Sequence, residues 1–309
     1  MVNIFESLII SSRPVQWLKN LSLFAALVFT GNLFSKEKFI LVVIAAIIFS
    51  ILASSIYLFN DVIDVSRDRL HPFKKLRPIA KGDLPIPIAL MTAVTGITVS
   101  LYLAGGVSFF FFLICLAYFL LQISYSLFLK NLAVIDVLII ATGFILRVYA
   151  GALVINVHLS VWFLLCVIST SLFLAVGKRR AELSILSEQA PNHRKILGLY
   201  PMALLDQYLS IFASSAWMSW ALFTFFQPPP VTQRISYFLH FPQAFAGINK
   251  WLMVTIPFVV YGIMRYLKII YEGEKAESPE KVLLSDTPLL ATLVIWAFLV
   301  TAIIYAGEL

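Results

Sequence analysis

Charge is what this sequence has least of: only 13% of its 309 residues are Asp, Glu, Lys or Arg, while 61% are hydrophobic. A soluble domain carries about twice that share of charge, so composition excludes an ordinary soluble enzyme or binding module. Cysteine is scarcer still. Cys115 and Cys166 each sit inside an apolar run, which excludes a disulfide framework and a thiolate metal centre. The N-terminal stretch lacks a short apolar segment with a small-residue cleavage site; Arg13 and Lys19 flank the first apolar run instead, so that run is expected to be retained. The net charge of +7 comes without a soluble basic domain, and nucleic acid is not an expected partner.

What is present is a series of long uncharged runs. Phe39 to Phe59 and Thr287 to Gly307 each extend 21 residues without a charge, enough for a helix to cross a hydrocarbon core of ~30 Å. Leu84 to Leu129 is uncharged over 46 residues and is divided by Gly105-Gly106. Further spans are expected near 15–34, 131–154, 159–177, 203–227 and 250–271. The expected architecture is all-α: a polytopic membrane protein with about nine transmembrane helices, forming a single catalytic domain over residues 1–309. With the N-terminus inside, eighteen cations fall on one side, and Lys36, Lys38, Arg234 and Lys250 on the other, leaving Arg147 within a span. That asymmetry marks the richer side as cytoplasmic.

One stretch breaks the apolar pattern. Asn60 to Gly82 holds Asp61, Asp64 and Asp68 together with Arg67, Arg69, Lys74, Lys75, Arg77 and Lys81. If the helix leaving Phe59 continues for two turns, the three aspartates at i, i+3 and i+7 share one narrow face, with Asn60 and His71 at its margin. Three like charges on one face call for a cation. Mg2+ in such sites takes few carboxylates, several waters and substrate phosphates. Pro72 and Pro78 are expected to stop the helix and return Lys74, Lys75 and Arg77 towards the same metal. Acid for a metal beside base for a phosphate is a diphosphate-binding pattern.

Other polar residues are expected at the same membrane level. In Arg13-Pro14-Val15-Gln16-Trp17-Leu18-Lys19-Asn20, Trp17 reads as an interface anchor, and Lys19 and Asn20 as lining the mouth of a cavity. The fourth span ends in Gln122, Ser124, Tyr125, Ser126 and Lys130; Lys130 alone reads as snorkelling, and its company turns it towards substrate. Asp136 and Arg147 lie roughly 16 Å apart along one helix and need separate partners. Asp136 is close to the acidic stretch, whereas Arg147 is deeper and expected to pair structurally. After the sixth span come Lys178, Arg179, Arg180 and Glu182, followed by His193, Arg194 and Lys195. A positive-inside cluster explains these cations without chemistry; the i, i+4 spacing of Lys178 and Glu182 also allows a second anion site. Two cytoplasmic loops, about 60–84 and 178–201, are thus the candidate site. The stretch with Pro228-Pro229-Pro230 reads as an external connector, and Tyr271 to Ser285 as a solvated acidic loop.

The Asn-Asp-x-x-Asp-x-x-x-Asp run, followed by Arg77-Pro78-Ile79-Ala80-Lys81-Gly82 after the second of nine spans, resembles the UbiA superfamily of intramembrane prenyltransferases. The fuller pattern adds Arg13-Pro14-x-Gln16-Trp17-x-Lys19-Asn20, Asp68-Arg69-x-His71-Pro72-x-Lys74, Tyr125-Ser126-x-x-Leu129-Lys130 and Lys178-Arg179-Arg180-Ala181-Glu182-Leu183. That combination is similar to the branch which moves phosphoribose onto a decaprenyl-type phosphate. Aromatic prenyltransferases of the superfamily commonly carry a second Asp-rich motif after the sixth span; here that loop is basic, as suits extra phosphate. The resemblance implies phosphoribosyl diphosphate and a polyprenyl phosphate as substrates, a lipid bilayer as surroundings and Mg2+ held by Asp61, Asp64 and Asp68. It also implies Lys74 and Arg77 on the leaving diphosphate, Lys178 and Arg179 on a further phosphate, and Asn60, Lys19, Asn20, Tyr125, Lys130, Asp136 and Glu182 around the sugar or acceptor. The implied location is a bacterial cytoplasmic membrane with the site on its cytoplasmic side, and the implied product feeds cell-envelope pentofuranose glycans. Prenyl transfer to an aromatic or lipid acceptor is the first alternative, and a transporter or lipid-binding protein the second. Polyprenyl length and homo-oligomer formation stay open.

Overall fold

The computed structural model describes residues 4–70, 74–186, 200–226, 251–272 and 279–305. The expectations placed on His71 and Pro72, on His193 to Lys195, on the Pro228 to Pro230 connector and on residues 273–278 of the acidic loop lie outside the described residues. Among the described residues all regular structure is helical. Eight helical stretches are long and apolar enough to cross a membrane: Lys36–Ile63, Ile86–Val107, Phe109–Leu127, Ile135–Val154, Val161–Ser184, Met202–Phe226, Trp251–Glu272 and Thr287–Tyr305.

The expected first span, 15–34, departs from a continuous helix. Helix α1 (Ile4–Ser12) gives way to a ten-residue 3-10 run, Pro14–Leu23, and then to the short α2 (Phe24–Phe29). Arg13 marks the break with a left-handed backbone, φ 52°, and Pro14 begins the tighter helix. Runs of 3-10 helix beyond three or four residues are uncommon, because their hydrogen bonds are poorer than those of an α-helix.

The chain forms two compact units. The first comprises Met1–Leu27, Ser35–Ile139 and Leu146–Val157; the second comprises Val28–Phe34, Ile140–Ile145 and His158–Leu309. In the first unit, α3 (Lys36–Ile63) extends for about 42 Å, longer than a hydrocarbon core, so its last turn carries Asn60 and Asp61 beyond the apolar run. Three short elements follow: α4 (Val65–Leu70), a 3-10 turn at Lys74–Leu76, and α5 (Pro78–Lys81). They lead into α6 (Ile86–Val107), which packs on α3 through Ala89, Ala93, Ile97, Ser100 and Ala104. Small residues bring the two backbones together where lipid offers no hydrophobic drive. A Cβ added to Gly96 would stand 2.1 Å from Ser55 Oγ. The uncharged run divides at Ser108, just past the glycine pair, because the Ser108 hydroxyl caps α7 (Phe109–Leu127) by accepting from the Phe111 amide at 3.0 Å. Helix α8 (Ile135–Val154) follows a 3-10 turn at Leu129–Asn131.

The second unit contains α9 (Val161–Leu186), α10 (Met202–Phe226), α11 (Ile256–Glu272), α12 (Pro279–Ser285) and α13 (Thr287–Tyr305). Its centre is aromatic: the Phe29 ring lies 4.7 to 6.5 Å from those of Phe163, Phe223, Trp220 and Trp296. Cys115 and Cys166 are free and buried, one in each unit, as their apolar neighbours require.

Candidate functional site

The acidic stretch is placed by packing on both sides of it. Leu58, Ile79, Leu84, Ala89 and Ala93 form a buried cluster at the end of α3. It pins α5 against α3 and so fixes where Arg77, the residue before α5, can reach. Pro78 starts α5 rather than merely stopping a helix, and the expectation for it changes accordingly. Gly82 ends α5 in a left-handed conformation, φ 94°, with its amide on the Pro78 carbonyl at 3.1 Å. Arg69 ties α4 to the same turn by donating to the Ala80 carbonyl at 3.2 Å.

The three aspartates do not share one partner. The helix is nearly continuous through them, with the Asp64 amide on the Asn60 carbonyl and the Asp68 amide on the Asp64 carbonyl. Asp61 and Asp68, each 4% exposed, converge on one guanidinium: Arg77 Nη1 donates to Asp61 Oδ1 at 3.0 Å and to Asp68 Oδ2 at 2.6 Å. Arg13 donates to the same Asp61 oxygen. Asp64 turns away and takes Lys130 Nζ on both oxygens, at 2.9 and 3.1 Å, with Arg67 at 3.7 Å. The single narrow face of three carboxylates is therefore a pair plus one: Asp64 is drawn off by the lysine that follows α7. Burial pushes the Asp68 carboxyl above its ordinary range; the charges of Arg77 and Lys74 pull it back, and that of Asp61 adds to the rise.

These residues fit a hard cation. Asn60 Oδ1, one residue before Asp61, is buried without a hydrogen-bond partner, a state that costs about 1–3 kcal/mol unless something satisfies it. The two carboxylate oxygens on Arg77 Nη1 show that this pair can gather around one positive centre. No three His, Cys, Asp or Glu side chains gather closely enough to hold a metal among the described residues, and one or two carboxylates are what Mg2+ takes when substrate phosphates complete its shell.

Lys19 donates to Gln16 at 2.6 Å on the 3-10 run. Asn20 is buried at 3% exposure, gives its amide to Ser50 at 2.8 Å and receives Arg147 at 2.9 Å. That placement ties it to α3 and α8. Trp17 likewise donates to Ser54 at 2.9 Å. Tyr125 is half-buried in the last turns of α7, and Asp136 is sealed from solvent in the first turn of α8, where a carboxylate favours the positive end of the helix. Lys74, half-buried, is near enough for Asp68 to feel its charge. Sequence reasoning gave Arg13 no role of its own. Its signal was the spacing of residues 13, 17 and 20 against 50, 54 and 61, which becomes visible only once the two segments are known to pair.

The basic turn lies in the second unit, at the end of α9, and differs from expectation. Glu182 pairs with Arg179, three residues before it, and Arg179 is wholly buried. Arg180 donates to Asp206 at 3.1 Å and stacks 4.2 Å from the Tyr271 ring, while the Tyr271 hydroxyl donates to Asp206 at 2.8 Å. Lys178 is the half-buried member of the three cations.

The model of the UbiA prenyltransferase family matches residues 21–181. The decaprenyl-phosphate phosphoribosyltransferase of Corynebacterium glutamicum is 33% identical over 308 residues, covering 98% of this chain and 88% of that protein. Its namesake in Mycolicibacterium smegmatis is 33% identical, covering 98% of this chain and 94% of its own. Among solved structures, a UbiA homolog from Archaeoglobus fulgidus bound to GPP and Mg2+ matches with TM-score 0.68 at 19% identity, over 96% of this chain and 99% of that one.

Proposed function

The chain belongs to the UbiA prenyltransferase family, and from that premise we propose that it transfers 5-phosphoribose from 5-phosphoribosyl 1-diphosphate to a polyprenyl phosphate of the decaprenyl type. Diphosphate leaves, and polyprenyl-phosphoryl 5-phosphoribose forms, a precursor for cell-envelope pentofuranose glycans. The observation that carries this reading is similarity along 98% of the chain to relatives named for that reaction; the paired carboxylates and their cations supply a place for a metal and a diphosphate.

The acceptor is already an anion, so it needs position more than deprotonation. The bond that forms joins a lipid-phosphate oxygen to the anomeric carbon; the bond that breaks releases diphosphate from the same carbon. Asp61, Asp68 and Asn60 Oδ1, with Asp64 beside them, are the residues to hold Mg2+, which when bound neutralises charge on the departing group. Arg77 and Lys74 donate to the diphosphate. Lys19, Tyr125 and Lys130 orient the sugar or the acceptor, and Asp136 acts with them. Lys178 binds a further phosphate, with Arg179 and Glu182 buttressing its helix. The site faces the cytoplasm of a bacterial inner membrane, a reading supported by the eighteen-to-four bias of cations. A soluble polyanion enters from water there, and a polyprenyl tail stays in lipid.

The test is to incubate purified protein in detergent with Mg2+, labelled phosphoribosyl diphosphate and polyprenyl phosphate, in parallel with prenyl diphosphate and an aromatic acid. Label in the organic phase, lost with EDTA, is the expected result. A prenylated aromatic product without lipid label would assign the chain to ordinary prenyl transfer.

A further inference from the structure

The 3-10 run and α3 lie antiparallel along a ladder of polar contacts whose rungs match in order. Asn20 gives its amide to Ser50 at 2.8 Å, Trp17 gives its indole N–H to Ser54 at 2.9 Å, and Arg13 lies 5.1 Å from the Tyr57 ring and donates to Asp61. Positions 50, 54, 57 and 61 share one face of α3. At ~1.5 Å per residue, α3 separates Ser50 from Asp61 by about 16 Å. The seven steps from Asn20 back to Arg13 would cover only about 10 Å as α-helix, against about 14 Å as 3-10 helix. Stretching is what lets Arg13 meet Asp61 while Asn20 stays on Ser50; the length of the arginine side chain supplies the rest.

A ten-residue 3-10 run needs an outside hold. Arg147 on α8 provides one: its Nε donates to Asn20 Oδ1 at 2.9 Å and its Nη2 to the Tyr118 hydroxyl at 2.8 Å. The guanidinium is 4% exposed and lies 4.9 and 5.6 Å from the Tyr118 and Phe49 rings. One turn further along α8, a Cβ on Gly151 would stand 1.9 Å from the Leu23 carbonyl oxygen, so α8 closes directly on the end of the 3-10 run. An arginine at membrane depth is expensive and calls for a reason beyond packing.

We propose that Arg147, acting through Asn20, is the pin that keeps the first membrane segment stretched, and is thereby a positioning residue for the Asp61 carboxylate. The inference rests on the metal reading above, and it assigns Asn20 to the same duty. The clamp sets the far end of the ladder; Arg13 then fixes one oxygen of Asp61 before any ligand arrives.

The experiment measures Mn2+ affinity by electron paramagnetic resonance on the full chain in detergent, without substrates, beside thermal unfolding. Arg147→Met is expected to assemble, to keep its Tm within a few degrees, and to bind Mn2+ about tenfold more weakly. Ser50→Ala, on the rung that Asn20 makes, should show a several-fold loss, and the double variant should be no weaker than Arg147→Met alone, since both act along one path. Wild-type affinity in a folded Arg147→Met variant, or losses that multiply in the double variant, would overturn the pin. If Arg147→Met does not assemble, Ser50→Ala carries the test, with a several-fold loss expected and unchanged affinity overturning it. No Mn2+ binding by the wild type would sink the metal reading itself, a failure distinct from that of the pin.

Discussion

The two charge-rich stretches, Asn60 to Gly82 and Lys178 to Glu182, look alike in sequence and are opposite in their accounting. In the first, buried carboxylates share arginines, and an adjacent amide oxygen is left without a donor. In the second, the arginines are committed to local partners: Arg179 to Glu182, and Arg180 to Asp206 and the Tyr271 ring. A motif rich in charge is a binding site only where its own neighbours leave something unsatisfied. The first stretch meets that condition. In the second, the arginines serve as internal ties.

The sharpest way to break this contrast is Asp61→Asn. It should assemble as the wild type does on size-exclusion chromatography and lose roughly a hundredfold to a thousandfold in turnover, the scale of deleting a preorganised electrostatic group. Wild-type turnover would remove Asp61 from the site.

Arg179→Met probes the other side. It removes the Arg179–Glu182 pair and leaves a wholly buried position without its guanidinium, so a drop in Tm is expected. Adding Glu182→Gln should recover much of it. An unchanged Tm with a raised KM would instead make Arg179 a phosphate ligand.

Lys178→Gln should be milder, raising KM for the phosphorylated substrate about tenfold at similar kcat, as when uniform binding is removed. A shift in Tm in place of KM would place Lys178 with its arginine neighbours.

The smallest effect is in pH. The Asp68 carboxyl lies above the ordinary range because it is buried, so it takes its proton before an ordinary aspartate as pH falls, and Arg77 loses an acceptor. Mn2+ affinity without substrates should therefore weaken on the acid side from above the usual carboxylate range. The stability sign is opposite: a raised folded-state value means that this charge costs stability at higher pH, and the cost is relieved as pH falls towards the unfolded value. Mn2+ affinity should decline on the acid side before Tm does; a parallel decline would tie the loss to unfolding.

Much of this was legible without coordinates. Uncharged runs longer than a bilayer core admit only spanning helices when nothing else in the chain can satisfy their backbone groups, and among the described residues a spanning helix lies on each expected run except the first, 15–34, which is broken. The acidic stretch was legible because carboxylates are conspicuous after an apolar helix. Asp64 was not separable from its neighbours, because its partner Lys130 lies 66 residues further on. The burial of Asn20 was not legible for a similar reason: an asparagine near a membrane surface reads as wet until Arg147, 127 residues away, is seen to cover it.

Composition and period thus determined the membrane, the helices and the chemistry available at Asn60 to Arg77, since these follow from transfer free energies and spacing along one chain. Which carboxylates meet, which arginines are consumed and why the first segment stretches were decided by tertiary structure alone. Each depends on a distance between residues far apart in sequence, set by packing that no single segment contains.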